Sequence, residues 1–466
     1  MINAMQLILP VLLLLFIYTK LSRHALDPLA LFCYFFFFFY AFRGAAIAFE
    51  LDGPYPDYLF FPPQTSALAA TASQALLVYL IAFVVSYLAF ERASGLSIAL
   101  PVVRRRPSMR RQLFIVCTLT FCATLVSLLL LARYGGVSGV IRAGKVTNTL
   151  AGSYELRVFP SVGAVMSASF ALAVWKERHG SAPDARLMLL GGSGIVAAIL
   201  NSAYVLLWGS RQAVAIVLLI VLAGGWLLRR GDEDLVKDAA ARRTGHPSVL
   251  RLLAVACVLV LAITGLRLVR DSLLIGHTTK SLQGQSTLRE ISVASNTTYF
   301  DALLLAVRDW PSAHPYRGGE DFIVGAEGIV PRAMWPGKPA NVRPGSWFRQ
   351  VYEPTHPNGW PLGAVGDWYL NFGLLGVLVG GGLSGLLYRV LMATWWRVPW
   401  SSFNVAALMC IVAFVVPTGI DALTLLHWVQ WGFPLLLCAG FINRRSQSRA
   451  RRPELVACTG GSPTTP

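Results

Sequence analysis

LMLLGGSGIVAAILNSAYVLLWGSRQAVAIVLLIVLAGGWLL, residues 187–228, is apolar almost throughout and is broken by one polar turn, Gly209-Ser210-Arg211. A helix that crosses a bilayer needs about 20 consecutive apolar residues. The stretch is long enough for two, and Gly-Ser supplies the tight turn between them. Backbone N–H and C=O groups find no partners in hydrocarbon, so both runs are expected to be helices. Outward from this hairpin the pattern repeats. Candidate spans fall at roughly 2–19, 28–49, 67–90, 112–132, 159–175, 187–206, 211–228, 248–268, 367–388, 402–418 and 422–441, about eleven in all. Composition agrees: 14% of the 466 residues are charged, against about 25% in a soluble domain. The expected fold is an all-α polytopic membrane protein. No internal repeat is visible, which counts against transporter folds built from duplicated halves.

A net charge of +17 could suggest nucleic acid, but the basic residues cluster beside apolar runs, where membrane orientation explains them. Lys20 and Arg23 follow the first run. Arg104, Arg105, Arg106, Arg110 and Arg111 precede the fourth, and Lys176, Arg178 and Arg186 follow the fifth. Arg229, Arg230, Lys237, Arg242 and Arg243 follow the seventh, Arg389 and Arg397 the ninth, and Arg444 to Arg452 close the chain. Every second connection is basic, while the intervening segment 50–57 is acidic. This places the N-terminus outside and the C-terminus in the cytoplasm. The first run has neither a basic start nor an A-x-A site after it, so it is expected to stay as a helix. The organisation that follows is eight spans within 1–268, an outer excursion over 269–366, three spans within 367–441 and a basic inner tail, 442–466.

Within the excursion lies MWPGKPANVRPG, residues 334–345. Prolines fix φ and glycines permit positive φ, so this is a shaped loop carrying two cations, Lys338 and Arg343. Arg317, Arg332 and Arg349 share the excursion with eight acidic residues, which hold its net charge near zero. A second outer loop, 133–158, carries Arg133, Arg142, Lys145 and Arg157, and Arg211 tips the 187–228 hairpin. Arginine grips phosphate through two parallel hydrogen bonds, and the helix start after Arg211 favours an anion as well. Arg142, Arg211, Arg317, Arg332, Lys338 and Arg343 are therefore candidate diphosphate ligands. Solvation at the surface, or snorkelling for Arg211, is the plain alternative for each. Candidate proton acceptors are Glu353, His356 and Asp367, near the re-entry into the membrane. Asp367 could equally cap or charge-complement a helix start. His427, between Leu426 and Trp428, reads as an interhelical hydrogen-bonding residue.

Aromatic residues accompany the outer cations: Trp310, Tyr316, Phe322, Trp335, Trp347, Phe348, Tyr352 and Trp360. Sugars stack on such rings and diphosphates need cations, which together suggest a lipid-diphosphate-linked glycan. No P-loop, H-E-x-x-H or G-x-S-x-G pattern occurs, and no D-x-D pair lies in an outer loop. Six of the seven cysteines lie in apolar runs and none forms C-x-x-C, so neither a zinc site nor a redox pair is expected, and no metal or cofactor is called for elsewhere in the pattern.

Tyr316-Arg317-Gly318-Gly319, followed by Ile329-Val330-Pro331-Arg332-Ala333-Met334-Trp335-Pro336-Gly337-Lys338-Pro339, resembles the large periplasmic loop of O-antigen polymerase-like proteins. More narrowly, it is similar to the oligosaccharide repeat unit polymerases. Gly366-Asp367-x-Tyr369-x-Asn371-Phe372-Gly373-x-x-Gly376 is similar to that family's motif at the re-entry helix, with aspartate where glutamate is usual, and Gly209-Ser210-Arg211 matches its intramembrane hairpin. The resemblance implies a multi-pass protein of the bacterial inner membrane with one large periplasmic loop containing short helices. It also implies an activity. A sugar hydroxyl on one undecaprenyl-diphosphate-linked oligosaccharide attacks the anomeric carbon of another, and the lipid diphosphate leaves. Arg211, Arg332, Lys338 and Arg343 suit the leaving group; His356, Glu353 or Asp367 would take the proton. A chain-length regulator and a flippase of the same pathway would be partners. A ligase of the same architecture and an export component are the competing expectations.

Overall fold

The computed structural model describes residues 4–23, 27–48, 65–90, 100–103, 108–142, 154–179, 185–207, 299–330, 334–339, 342–355, 359–398 and 401–444, with short pieces between 214 and 224. Among these residues every extended element is helical. The helices are α1 (Ala4–Phe16), α2 (Pro28–Phe36), α3 (Phe42–Ala48), α4 (Thr65–Ala89), α5 (Met109–Tyr134), α6 (Val137–Arg142), α7 (Val158–His179) and α8 (Ala185–Leu207). After a long interval follow α9 (Tyr299–Asp309), α10 (Glu320–Glu327), α11 (Pro344–Tyr352), α12 (Gly363–Arg397), α13 (Ser402–Cys410), α14 (Thr424–His427) and α15 (Phe433–Arg444). Wider π turns join α2 to α3 and α14 to α15, and extend α1 and α13. Among the described residues seven helices are long and apolar enough to cross a membrane, and two shorter apolar ones are Ile8–Leu21 and Ser402–Val415. These coincide with the expected runs, except those at 211–228 and 248–268, which lie largely outside the described residues.

The centre of the molecule is the pairing of α4 with α12. Gly381 and Gly385 of α12 lie against the carbonyl oxygens of Tyr79 and Phe83, where a Cβ would overlap them. In lipid, apolar side chains gain little by meeting each other, so close backbone approach over small residues is what drives such a seam. Helix α2 adds an aromatic layer: Phe32 stacks on Phe83 at 4.5 Å and meets Tyr388 at 5.0 Å. Its start is capped as its sequence dictates, with the Asp27 side chain accepting from the Ala30 N–H at 2.8 Å and Pro28 in the first turn. A second group of helices, α5, α7 and α8, is joined by Asn201, whose amide donates to Thr120 Oγ1 at 2.8 Å.

Helix α9 belongs to the excursion read as lying outside the lipid, and in it Phe300 through Ala306 are all buried, against α3, α4 and α12. Asp301 explains why a helix with a charge in its first turn can occupy this place. Its two carboxylate oxygens accept from Arg43 Nε at 2.7 Å and Nη2 at 3.0 Å. At 11 residues the helix is about half a span in length, so its pattern read as part of a loop.

Helix α12 is broken at Gly373, whose φ of 64° and ψ of −152° lie outside the helical region. The break strands carbonyls that would otherwise be bonded within the helix. Two are taken up by the preceding turn: Arg317 N–H donates to Leu370 O at 3.2 Å and Gly318 N–H to Asn371 O at 3.0 Å.

The described ends of the bundle differ in character. At one end Val103 and Asn404 exchange hydrogen bonds, Arg111 donates to the carbonyl of Ile442 and Arg389 lies over the Tyr87 ring. Lys176 and Arg178 close α7 at this same end. The opposite end carries the cleft described next.

Candidate functional site

The apolar hairpin 402–443 is interrupted by Val416-Pro417-Thr418-Gly419-Ile420-Asp421-Ala422-Leu423. Proline lacks an N–H and cannot continue the helix, and Gly419 adopts a φ of 112°. Non-helical backbone in such surroundings needs partners for every polar group. Side chains of α4 and α12 supply them. Tyr388 donates to Val416 O at 2.6 Å and Tyr79 to Thr418 O at 3.0 Å. Trp368 Nε1 donates to Ile420 O at 2.7 Å, and the Ile420 N–H donates to Ser384 Oγ at 2.8 Å. Asp367 accepts from the Ala422 N–H at 3.1 Å. The segment then turns into α14 through Asp421, whose Oδ1 accepts from Leu423 N–H at 3.0 Å and Thr424 Oγ1 at 2.9 Å.

This segment lines a cleft of ≈ 180 Å³. Around it stand Arg157, Val158 and Ser161 at the start of α7, Tyr299 at the start of α9, and Asp421, His427, Gln430 and Trp431. Phe414 and Trp431 stack at 3.9 Å to form its apolar wall. Arg157, Asp421, His427 and Gln430 are half-buried. Ser161 is buried and its hydroxyl has no hydrogen-bond partner. The charges of Asp421, Arg343 and Arg157 all act on the His427 imidazole, and of the two cations Arg157 lines the cleft with it. Burial pushes the Asp421 carboxyl above its usual range, against the His427 charge and the hydrogen bonds it accepts. Burial, with Asp421 and Asp367 behind it, likewise raises the Tyr299 hydroxyl. The cleft therefore combines a cation, a hydroxyl donor and an acid–base pair, a set suited to an anionic leaving group and a proton in transit. Among the described residues no three His, Cys, Asp or Glu side chains are grouped to hold a metal ion.

Of the residues singled out from sequence, Arg211, Arg332 and His356 lie outside the described residues. Arg142 ends α6. Arg343 is exposed at the start of α11 and does not line the cleft, though its charge acts on His427. Lys338 donates to the Val330 carbonyl at 3.0 Å, and Glu353 accepts from Arg349 Nε at 2.6 Å. Arg317 is held on three sides: Nη2 meets Glu320 at 3.0 Å, Nε meets Asp321 at 3.0 Å, and the guanidinium lies 3.6 Å from the Trp347 ring centroid. Asp321 also accepts from Asn371 Nδ2 at 2.9 Å. Burial raises its carboxyl above the usual range, with Arg317 and Asn371 opposing. Asp367 is neither a cap nor a cleft-lining residue. Gly363, at a φ of 65°, starts α12 more than a turn earlier, and Asp367 is buried behind Asp421.

Asp421, Ser161, Tyr299 and Gln430 were not anticipated, and His427 was read as a helix-pairing residue. One signal was available: Pro417-Thr-Gly-Ile-Asp421 breaks an apolar run and sets a carboxylate six residues before a histidine. No family model, curated protein or solved structure matches the chain.

Proposed function

We propose that this protein is a membrane glycosyltransferase that polymerises lipid-diphosphate-linked oligosaccharide units into a surface polysaccharide. The observation that carries this reading is the cleft, in which Arg157 stands with His427 and Asp421 beside an unpartnered serine hydroxyl, while the charge of the exposed Arg343 also acts on His427. The cleft lies at the end of the bundle away from Arg111, Lys176 and Arg389. Basic ends favour the cytoplasm, so the cleft would open on the periplasmic face of the inner membrane.

In the reaction, the hydroxyl of the acceptor glycan gives its proton to His427 or Asp421. Its oxygen attacks the anomeric carbon of the donor. The bond from that carbon to the diphosphate oxygen breaks, and the diphosphate leaves with the electron pair. Arg157, Arg343 and Ser161 Oγ stabilise the charge that develops there. Arg211 and Arg332, in the motifs that resemble the polymerases, are further candidates for the same diphosphate. The resemblance supplies the undecaprenyl carrier; the cleft supports an anionic leaving group.

The test is chain growth on lipid-linked saccharide by the protein reconstituted in liposomes. Arg157→Ala and His427→Gln should each cut the rate by about 10²-fold or more, with insertion unchanged. Wild-type polymer length and rate in both variants would reject the assignment.

A further inference from the structure

Helix α10 lies beside the cleft rather than in it. A Cβ at Gly319 would lie 3.2 Å from the Phe372 ring, and the rings of Phe322 and Phe372 are 6.1 Å apart. Positions 319, 322, 323 and 326 share one helical face. Ile323 and Ala326 therefore lie on the side of α12 that carries Phe372. Below Phe372 that helix exposes Leu374, Leu375, Leu378 and Val379, with Leu375 at 71%. On a spanning helix such side chains meet lipid. The other end of α10 rests on α14, where Gly328 abuts Leu426 and the neighbouring Leu425 is exposed. So α10 lies across two lipid-facing helices, and its own Ile323 is 60% exposed. The chain beyond is folded back by Lys338, which donates to Val330 O at 3.0 Å. It presents Met334 at 78% and Trp335 at 39% exposure. Tryptophan with a lysine beside it is the pairing favoured where headgroups meet acyl chains.

We propose that α10 and the turn 334–339 are seated in the headgroup–acyl boundary of the bilayer, with Ile323, Met334 and Trp335 immersed in lipid. The contact does not depend on the reaction assigned to the cleft. It does reach the cleft mechanically. Gly325 packs directly on the Ala422 carbonyl, next to Asp421, and leaves no room for a side chain. The helix is thus a wedge between lipid and the segment that carries Asp421.

Photocrosslinking tests this on the full chain in phospholipid nanodiscs. Ile323→p-benzoylphenylalanine and Met334→p-benzoylphenylalanine are compared with the same replacement at exposed Thr355. The expected result is phospholipid adducts at 323 and 334 in several-fold excess over 355, read by mass spectrometry. Adduct yields equal to that at 355, or crosslinks to a second copy of the chain in place of lipid, would overturn the proposal.

Discussion

The carboxylate of Asp367 accepts a hydrogen bond from the backbone N–H of Ala422 at 3.1 Å, and so fixes the residue next to Asp421. Asp367→Ala leaves that buried N–H unpaired, at a cost of about 1 to 3 kcal/mol. Asp367→Asn keeps an acceptor oxygen in place. The alanine variant should therefore lose thermal stability in detergent and transfer activity together, while the asparagine variant retains most of both. An Asp367 that served as the base would instead lose activity equally in the two variants.

Asp421 should couple activity and stability in opposite directions. Its carboxyl is raised in the folded protein by burial, so the folded state holds its proton more tightly than the unfolded chain. The stabilisation is complete below the unfolded value and is lost as pH rises through the folded value. A base must be ionised, so transfer should speed up over the window in which stability falls. Asp421→Asn should flatten both profiles, giving a slower protein whose unfolding temperature no longer drops across that window. Unchanged pH dependence of unfolding in the variant would contradict this.

Arg317 should behave as a clasp. Arg317→Ala leaves Asp321 buried beside Asn371 without its cation, which costs about 3 to 5 kcal/mol. Arg317→Lys should recover only part, because a lysine cannot form the guanidinium fork or lie flat over Trp347. Pairing Arg317→Ala with Asp321→Asn should restore more stability than either change predicts alone, as a double-mutant cycle in thermal unfolding would show.

The Arg43–Asp301 pair should be dispensable as a pair and costly to split. Both side chains are fully buried and joined by two hydrogen bonds. Asp301→Ala or Arg43→Ala alone should lower stability by about 3 to 5 kcal/mol, and Arg43→Met with Asp301→Leu should recover most of it. Detergent-solubilised unfolding of the four proteins checks the order.

Acid should loosen the junction of α9 and α11. Burial acts to raise Asp309, but the hydrogen bonds from Arg308 and Tyr352 outweigh it and hold the carboxyl below its ordinary range. That contribution is present above the unfolded value and is lost as pH falls through the folded one. Tyr352→Phe removes one donor, so the acid unfolding midpoint should shift to higher pH, measured by tryptophan fluorescence.

Spanning helices were legible in sequence because lipid imposes one simple requirement, a run of apolar residues of fixed length. The runs at 28–49, 67–90 and 187–206 reappear within a few residues in α2–α3, α4 and α8. Helix α9 was not legible. Its Asp301 is polar in sequence and buried in space, and only Arg43, 258 positions away, reconciles the two. The site divided in the same manner. Arg343 was visible as a cation between rigid neighbours. Asp421 and His427 were hidden in an apolar setting, where a lone polar residue reads as packing, and Arg157 stood out no more than its neighbours. Arg317 and Glu353 were visible as charges, but sequence does not show that Asp321 and Arg349 are the groups that meet them.

The break at Gly373 also decides what can be exchanged. Leu370 and Asn371 depend on the N–H groups of Arg317 and Gly318, and Gly319 depends on the Asn371 side chain. A chimera that received residues 299–352 alone would bring donors with no matching acceptors and leave a foreign helix whole beneath them. A cassette running from 299 through 397 would carry both halves of this joint, but its host would still have to supply an arginine for Asp301 and a backbone N–H for Asp367.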